Sequence, residues 1–145
     1  MRRPHDPLTL DLFEVPVPRN PIPGALAVGP SLRHLLADLL KDSPRSRFEV
    51  AAHMSELTGQ EVSKHQLDSW TADSRDGWRF PLEYLPAFEV AVQTHGITAW
   101  LADLRGCKVL VGKEALDAEI GKLERLKEEA ARKIKQLKHA MGEME

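Results

Sequence analysis

Cysteine is almost absent from this chain. Cys107 is its single thiol, which excludes an intramolecular disulfide and any cysteine-based zinc finger and suits a reducing cytoplasm. No apolar run approaches the roughly 20 residues needed to span a bilayer. The opening residues Met1-Arg2-Arg3-Pro4-His5-Asp6-Pro7 lack the apolar core of a signal peptide. A cytoplasmic protein with no membrane partner is therefore expected. A large excess of charge of one sign is also lacking. The formal net charge of −2 argues against a protein that coats nucleic acid indiscriminately, although binding depends on where charge sits and not on its sum.

Catalytic constellations are missing too. There is no glycine-rich phosphate loop, no nucleophile–base pair and no carboxylate pair with a plausible pocket. His53 and His65 stand twelve residues apart without a zinc-type ligand pattern. The expectation is a protein that is not an enzyme and carries neither cofactor nor metal.

What remains is a modest core-forming composition, 42% apolar and 29% charged, sufficient for one domain with appendages. Seven of the ten prolines fall in residues 1–30: Pro4, Pro7, Pro16, Pro18, Pro21, Pro23 and Pro30. Proline removes a donor and holds its predecessor extended, so this stretch reads as an extended arm. From Ser31, read as an N-cap, Leu32, Leu35, Leu36, Leu39 and Leu40 follow the spacing of an amphipathic helix that stops near Asp42-Ser43-Pro44. Further helices are expected over about 47–57, burying Phe48, Ala51 and Met54 with Val50 or Leu57, and over about 64–72, with Leu67 and Trp70 inward. Pro81 and Pro86 bracket short helical starts, Ala87 to Gln93 completes one helix, and Thr98 to Leu104 forms another before Gly106. Trp70, Trp78 and Trp100 read as core or half-buried anchors.

The segment from Arg45 to Arg79 carries the strongest signal. Ser46-Arg47-Phe48-Glu49 and Ser63-Lys64-His65-Gln66 both fit the capping box, in which the serine oxygen and the N3 side chain satisfy each other's backbone N–H groups. With Thr58-Gly59 between them, they define a helix–turn–helix at about 46–72. Its turn is longer than the usual 3–4 residues. Arg45, Arg47, Lys64, Arg75 and Arg79 sit where a groove-reading motif needs phosphate contacts. Ser63, Lys64 and Gln66 occupy the end that meets base edges. The alternatives are that the capping box consumes Gln66 and solvent takes Lys64. Asp68, Asp73 and Asp76 nearby would repel a phosphate backbone.

From Lys113 the chain reads as one long polar helix of coiled-coil type. Leu116, Leu123, Ala130, Leu137 and Met144 fall at d, and Ile120, Lys127, Ile134 and Met141 at a. A parallel in-register twin would set Glu119 against Glu124 and Lys133 against Lys138, whereas an antiparallel one brings the acidic half beside the basic half. Self-association through this helix is expected, antiparallel by preference. The other readings are packing back on its own domain, a parallel dimer, a separate partner, or charge that merely complements the helix dipole.

In the arm, Thr9-Leu10-Asp11-Leu12-Phe13 resembles the short motif, glutamine-leucine-(serine or aspartate)-leucine-phenylalanine, by which bacterial replication and repair proteins dock in the sliding clamp. Thr9 stands in place of the glutamine. Leu10, Leu12 and Phe13 would be the anchors for such a host partner; otherwise Leu12, Phe13 and Val15 pack on this protein's own helices.

Residues 47–81 (RFEVAAHMSELTGQEVSKHQLDSWTADSRDGWRFP), with Arg105-Gly106-Cys107-Lys108, Gly112-Lys113-Glu114-Ala115-Leu116 and the terminal helix, resemble small early-region proteins of Mu-like transposable phages and their prophages. The likeness covers most of the chain from about Ser31. More broadly the motif is similar to helix–turn–helix regulators of the phage repressor class. That likeness implies transcriptional control in a bacterial host by binding double-stranded DNA. The expected organisation is thus all-α: an arm over 1–30, a helical domain over 31–112 and a coiled-coil helix over 113–145. The alternative is a protein-interaction module that grips a host protein and never touches DNA.

Overall fold

A computed structural model describes residues 15–74 and 77–143. Leu10, Leu12 and Phe13 of the arm, Arg75 of the proposed DNA-contacting set and Met144 of the heptad seam lie outside the described residues. The described residues are predominantly helical: α1 (Gly29–Asp42), α2 (Arg47–Thr58), α3 (Lys64–Thr71), a 3-10 turn (Leu82–Tyr84), α4 (Leu85–Val92), α5 (Gly96–Leu104) and the long α6 (Lys113–Glu143). Among them there is no strand, only an isolated antiparallel bridge between Pro18 and Arg105. The chain divides into two units, Met1–Lys108 and Val109–Glu145.

In the first unit α1 starts two residues before the expected N-cap. Pro30 occupies the first turn and Val28 is the capping position, so Ser31 lies inside the helix and the arm ends sooner than residue 30. The reason is that an amide missing from the first turn costs nothing, since that N–H has no intrahelical acceptor. The helix ends where Ser43 turns extended before Pro44.

The core collects Leu36 and Leu40 of α1, Val50, Ala51 and Met54 of α2, Leu67 and Trp70 of α3, Ala87, Phe88, Ala91 and Val92 of α4, and Ile97 of α5. Phe48 does not join them. It is 69% exposed, because the buried stripe of α2 runs along 50, 51 and 54 and Phe48 lies roughly a third of a turn away from its centre. An aromatic chain closes the other side: Trp70 meets Phe80 edge-on at 5.2 Å between ring centroids, and Phe80 meets Phe88 at 5.5 Å. Offset and edge-to-face pairs of this kind fix α3 and the segment after it against α4.

Two details complete the body. The Arg19 amide donates to the Leu104 carbonyl at 3.0 Å, satisfying one of the carbonyls that the end of α5 leaves without an intrahelical donor. The α5 amino end begins at Gly96, not Thr98, and is capped from a neighbouring helix. Buried Glu89 of α4 accepts from the Thr98 amide at 3.3 Å and from the Thr98 hydroxyl.

The second unit is dominated by α6, 31 residues with no buried side chain. No helix among the described residues is long and apolar enough to cross a membrane.

Candidate nucleic-acid interface

The connection between α2 and α3 is long but held at several points. Ser46 caps α2 by accepting from the Glu49 amide at 3.2 Å. The helix closes at Gly59, whose φ of 67° is the left-handed value that glycine adopts without a steric penalty. Val62 is buried in mid-turn, and its amide donates to the Ser55 Oγ at 2.8 Å. Thr58 Oγ1 accepts from the Gln60 amide at 3.2 Å and donates to the Met54 carbonyl at 2.8 Å. The extra residues are therefore a plug rather than a slack loop. At Ser63 the capping box is complete, with the Gln66 amide on Ser63 Oγ at 3.2 Å and the Ser63 amide on Gln66 Oε1 at 2.9 Å.

This geometry distributes the candidate residues unequally. Ser63 and Gln66 are engaged in the cap, and the side-chain oxygen of Gln66 is spent on it. Arg45 points along the body, its Nη1 2.7 Å from His53 Nδ1 and 3.2 Å from the Ala91 carbonyl. Arg79 is exposed. Arg47 and Lys64 meet at one carboxylate: Arg47 Nη1 lies 2.8 Å from Asp68 Oδ1, and Lys64 Nζ lies 2.7 Å from Asp68 Oδ2. Arg47 Nη1 also donates to Thr71 Oγ1 at 3.1 Å.

Asp68 has an altered acidity as a result. Burial pushes its carboxyl up, but hydrogen bonds from Lys64 and Arg47, helped by their charges, outweigh burial and hold it below the ordinary aspartate value. The trio carries one net positive charge. All three side chains stay about a third exposed or more, and both cations keep unused donors, since a guanidinium offers five N–H groups and an ammonium three.

Phe48, expected in the core, stands beside the trio instead. Lys64 Nζ sits 5.4 Å from the Phe48 ring centroid, within cation–π range. His65 meets Trp78 edge-on at 6.4 Å, and Trp78 is 45% exposed. The Lys64–Asp68 pair was visible as an i, i+4 spacing; Arg47, 21 residues from Asp68, had no local signal. The starts of α2 and α3 thus present Arg47, Phe48 and Lys64 together, with exposed His65 next to Lys64 in the chain. They can hold an anionic group, stack on a flat one, or both.

Among the described residues no group of three or more His, Cys, Asp or Glu side chains is placed to hold a metal ion. No family model, curated protein or solved structure matches this chain.

Proposed function

We propose that this chain is a DNA-binding transcriptional regulator of a phage or prophage, working in the bacterial cytoplasm as a self-associated oligomer. In this reading α2 and α3 form the helix–turn–helix, and the amino end of α3 meets the duplex. The observation that supports it is the Arg47–Asp68–Lys64 trio: two cations are held ready by one carboxylate at the outer edge of α3, with donors to spare. Lys64 and Arg47 would grip phosphate, while Phe48 beside them suits apolar contact with a thymine methyl. The resemblance to early-region proteins of transposable phages points the same way.

A mobility-shift titration with duplex DNA, begun at about 50 mM salt where phosphate contacts are strong, tests this. Lys64→Ala should weaken binding to every sequence and reduce the salt slope by about one unit. Asp68→Asn, which releases both cations from their internal partner, should tighten binding. Complete absence of a shift at that salt would reject the proposal.

One observation favours a second reading, a module that engages a host protein. Leu57, Pro86 and Val90 line an open groove of about 690 Å³ beside Tyr84, and exposed aromatics such as Phe48 and Trp78 are typical anchors at protein interfaces. The arm residues Leu10, Leu12 and Phe13 would add a second point of attachment, to a sliding clamp. In that case neither the wild-type chain nor Asp68→Asn shifts duplex DNA.

A further inference from the structure

The longest helix of the molecule has nothing covering its apolar seam within its own unit. Leu116, Ile120, Leu123, Ile134, Leu137 and Met141 of α6 are each more than half exposed. At about 1.5 Å per residue the helix spans about 46 Å, and helices of this kind draw most of their stability from an apolar face that is packed. The position of the one charged residue in the seam, Lys127, decides how a second copy can cover it.

We infer that α6 pairs antiparallel with α6 of a second copy in a single register, with Lys127 opposite Ala130 and the twofold axis between Glu128 and Glu129. This deepens the self-association in the reading above and is independent of DNA binding. In an antiparallel pair a positions layer against d positions. Setting Lys127 against Ala130 then places Leu116 against Met141, Ile120 against Leu137 and Leu123 against Ile134, so every other layer between Leu116 and Met141 is apolar.

The small Ala130 side chain leaves room for the lysine stem, whose ammonium can reach water at the rim. Flanking the seam, Asp117 falls beside Lys138 of the second copy, and Leu126 lies along the stem of Lys133. Sliding the partner by one heptad either way brings Lys127 against Leu123 or Leu137 and leaves Met141 or Leu116 without a partner layer in α6. A parallel in-register pair stacks Lys127 on Lys127 and sets Glu119 against Glu124 and Lys133 against Lys138. Like charges at these positions destabilise the parallel arrangement.

Surface charge variants of the full chain separate the arrangements without disturbing the seam. Sedimentation equilibrium of the wild-type protein should give a dimer. Lys138→Glu opposes Asp117 in the antiparallel register and should weaken the dimer several-fold. Adding Asp117→Lys to it should restore association. In a parallel pair Lys138→Glu relieves the Lys133 repulsion and tightens the dimer, which would overturn the orientation while leaving self-association intact.

A single-chain mass for the wild-type protein would instead remove self-association itself. Register is read by disulfide trapping in a Cys107→Ser background. Chains carrying Ile120→Cys should cross-link to chains carrying Leu137→Cys, and a predominance of like-with-like links would overturn the inference.

Discussion

Asp68 is the residue on which the α2–α3 surface turns. Its carboxylate joins two helices through Arg47 and Lys64, so it stabilises the fold while it restrains the two cations that the proposed function assigns to phosphate. Its pKa is depressed in the folded protein, which means the unfolded chain binds a proton more readily. The associated stability is therefore fully present above the unfolded pKa, near the ordinary value of 3.8, and is lost as pH falls through the lower folded value. Partly exposed pairs of this type contribute about 0.2–1 kcal/mol. Asp68→Asn should accordingly cost a few tenths of a kcal/mol up to about 1 kcal/mol at pH 7, and urea melts should show the gap from wild type closing in strong acid. A gap of equal size at pH 7 and well below the folded pKa would mean that charge is not what couples Asp68 to its neighbours. Glu89 acts differently. It is buried, and it caps α5 through Thr98, so Glu89→Ala should lower stability by about 1–2 kcal/mol, the usual cost of a lost cap or an unmet buried donor. A thermal melt within error of wild type would show that α5 does not depend on this cap.

At the scale of elements, two glycines distinguish backbone strain from steric exclusion. Gly59 and Gly106 both adopt positive φ, 67° and 69°. A Cβ at Gly59 would meet open space, whereas at Gly106 it would lie 2.6 Å from the Pro18 nitrogen and Cδ. Gly59→Ala should therefore cost about 1 kcal/mol, the conformational penalty alone. Gly106→Ala should cost about 2 kcal/mol or more, because the arm must also move aside. Hydrogen exchange checks the mechanism, since only the second variant should deprotect the Arg19 amide that bonds Leu104.

The same scale shows which features could be read from the chain alone. The serine caps at 46 and 63 were legible because capping is a contact between residues three apart. Ser31 misled because Pro30, the residue before it, is itself a helix-start signal. Phe48 misled because Phe48, Val50, Ala51, Met54 and Leu57 spread widely around α2, and periodicity cannot choose a face from such a set. The Arg45–Ala91 and Arg47–Asp68 links join residues far apart in sequence, and Arg45 reaches His53 from outside α2, so only tertiary structure could supply them.

For the whole molecule the decisive question is whether the two units depend on each other. Among the described residues every buried side chain of the hydrophobic core lies between Leu36 and Ile97, and α6 contributes none. A chain ending at Lys108 should therefore retain the thermal midpoint of the body, because nothing removed belongs to its core. The DNA binding proposed for it should not survive as well. If two bodies grip one duplex through a shared pair of α6 helices, binding of the second is intramolecular, and severing the link should lower apparent DNA affinity by about 10²–10⁴-fold. Most of this loss should appear as faster dissociation, since each body keeps its own charged edge and so its encounter rate. Circular dichroism melts and a mobility-shift titration on the same truncated chain measure both quantities. An unchanged midpoint with unchanged affinity would make α6 irrelevant to DNA binding. A large drop in midpoint would mean that α6 lies on its own body, and its apolar seam would then be closed by the chain that carries it.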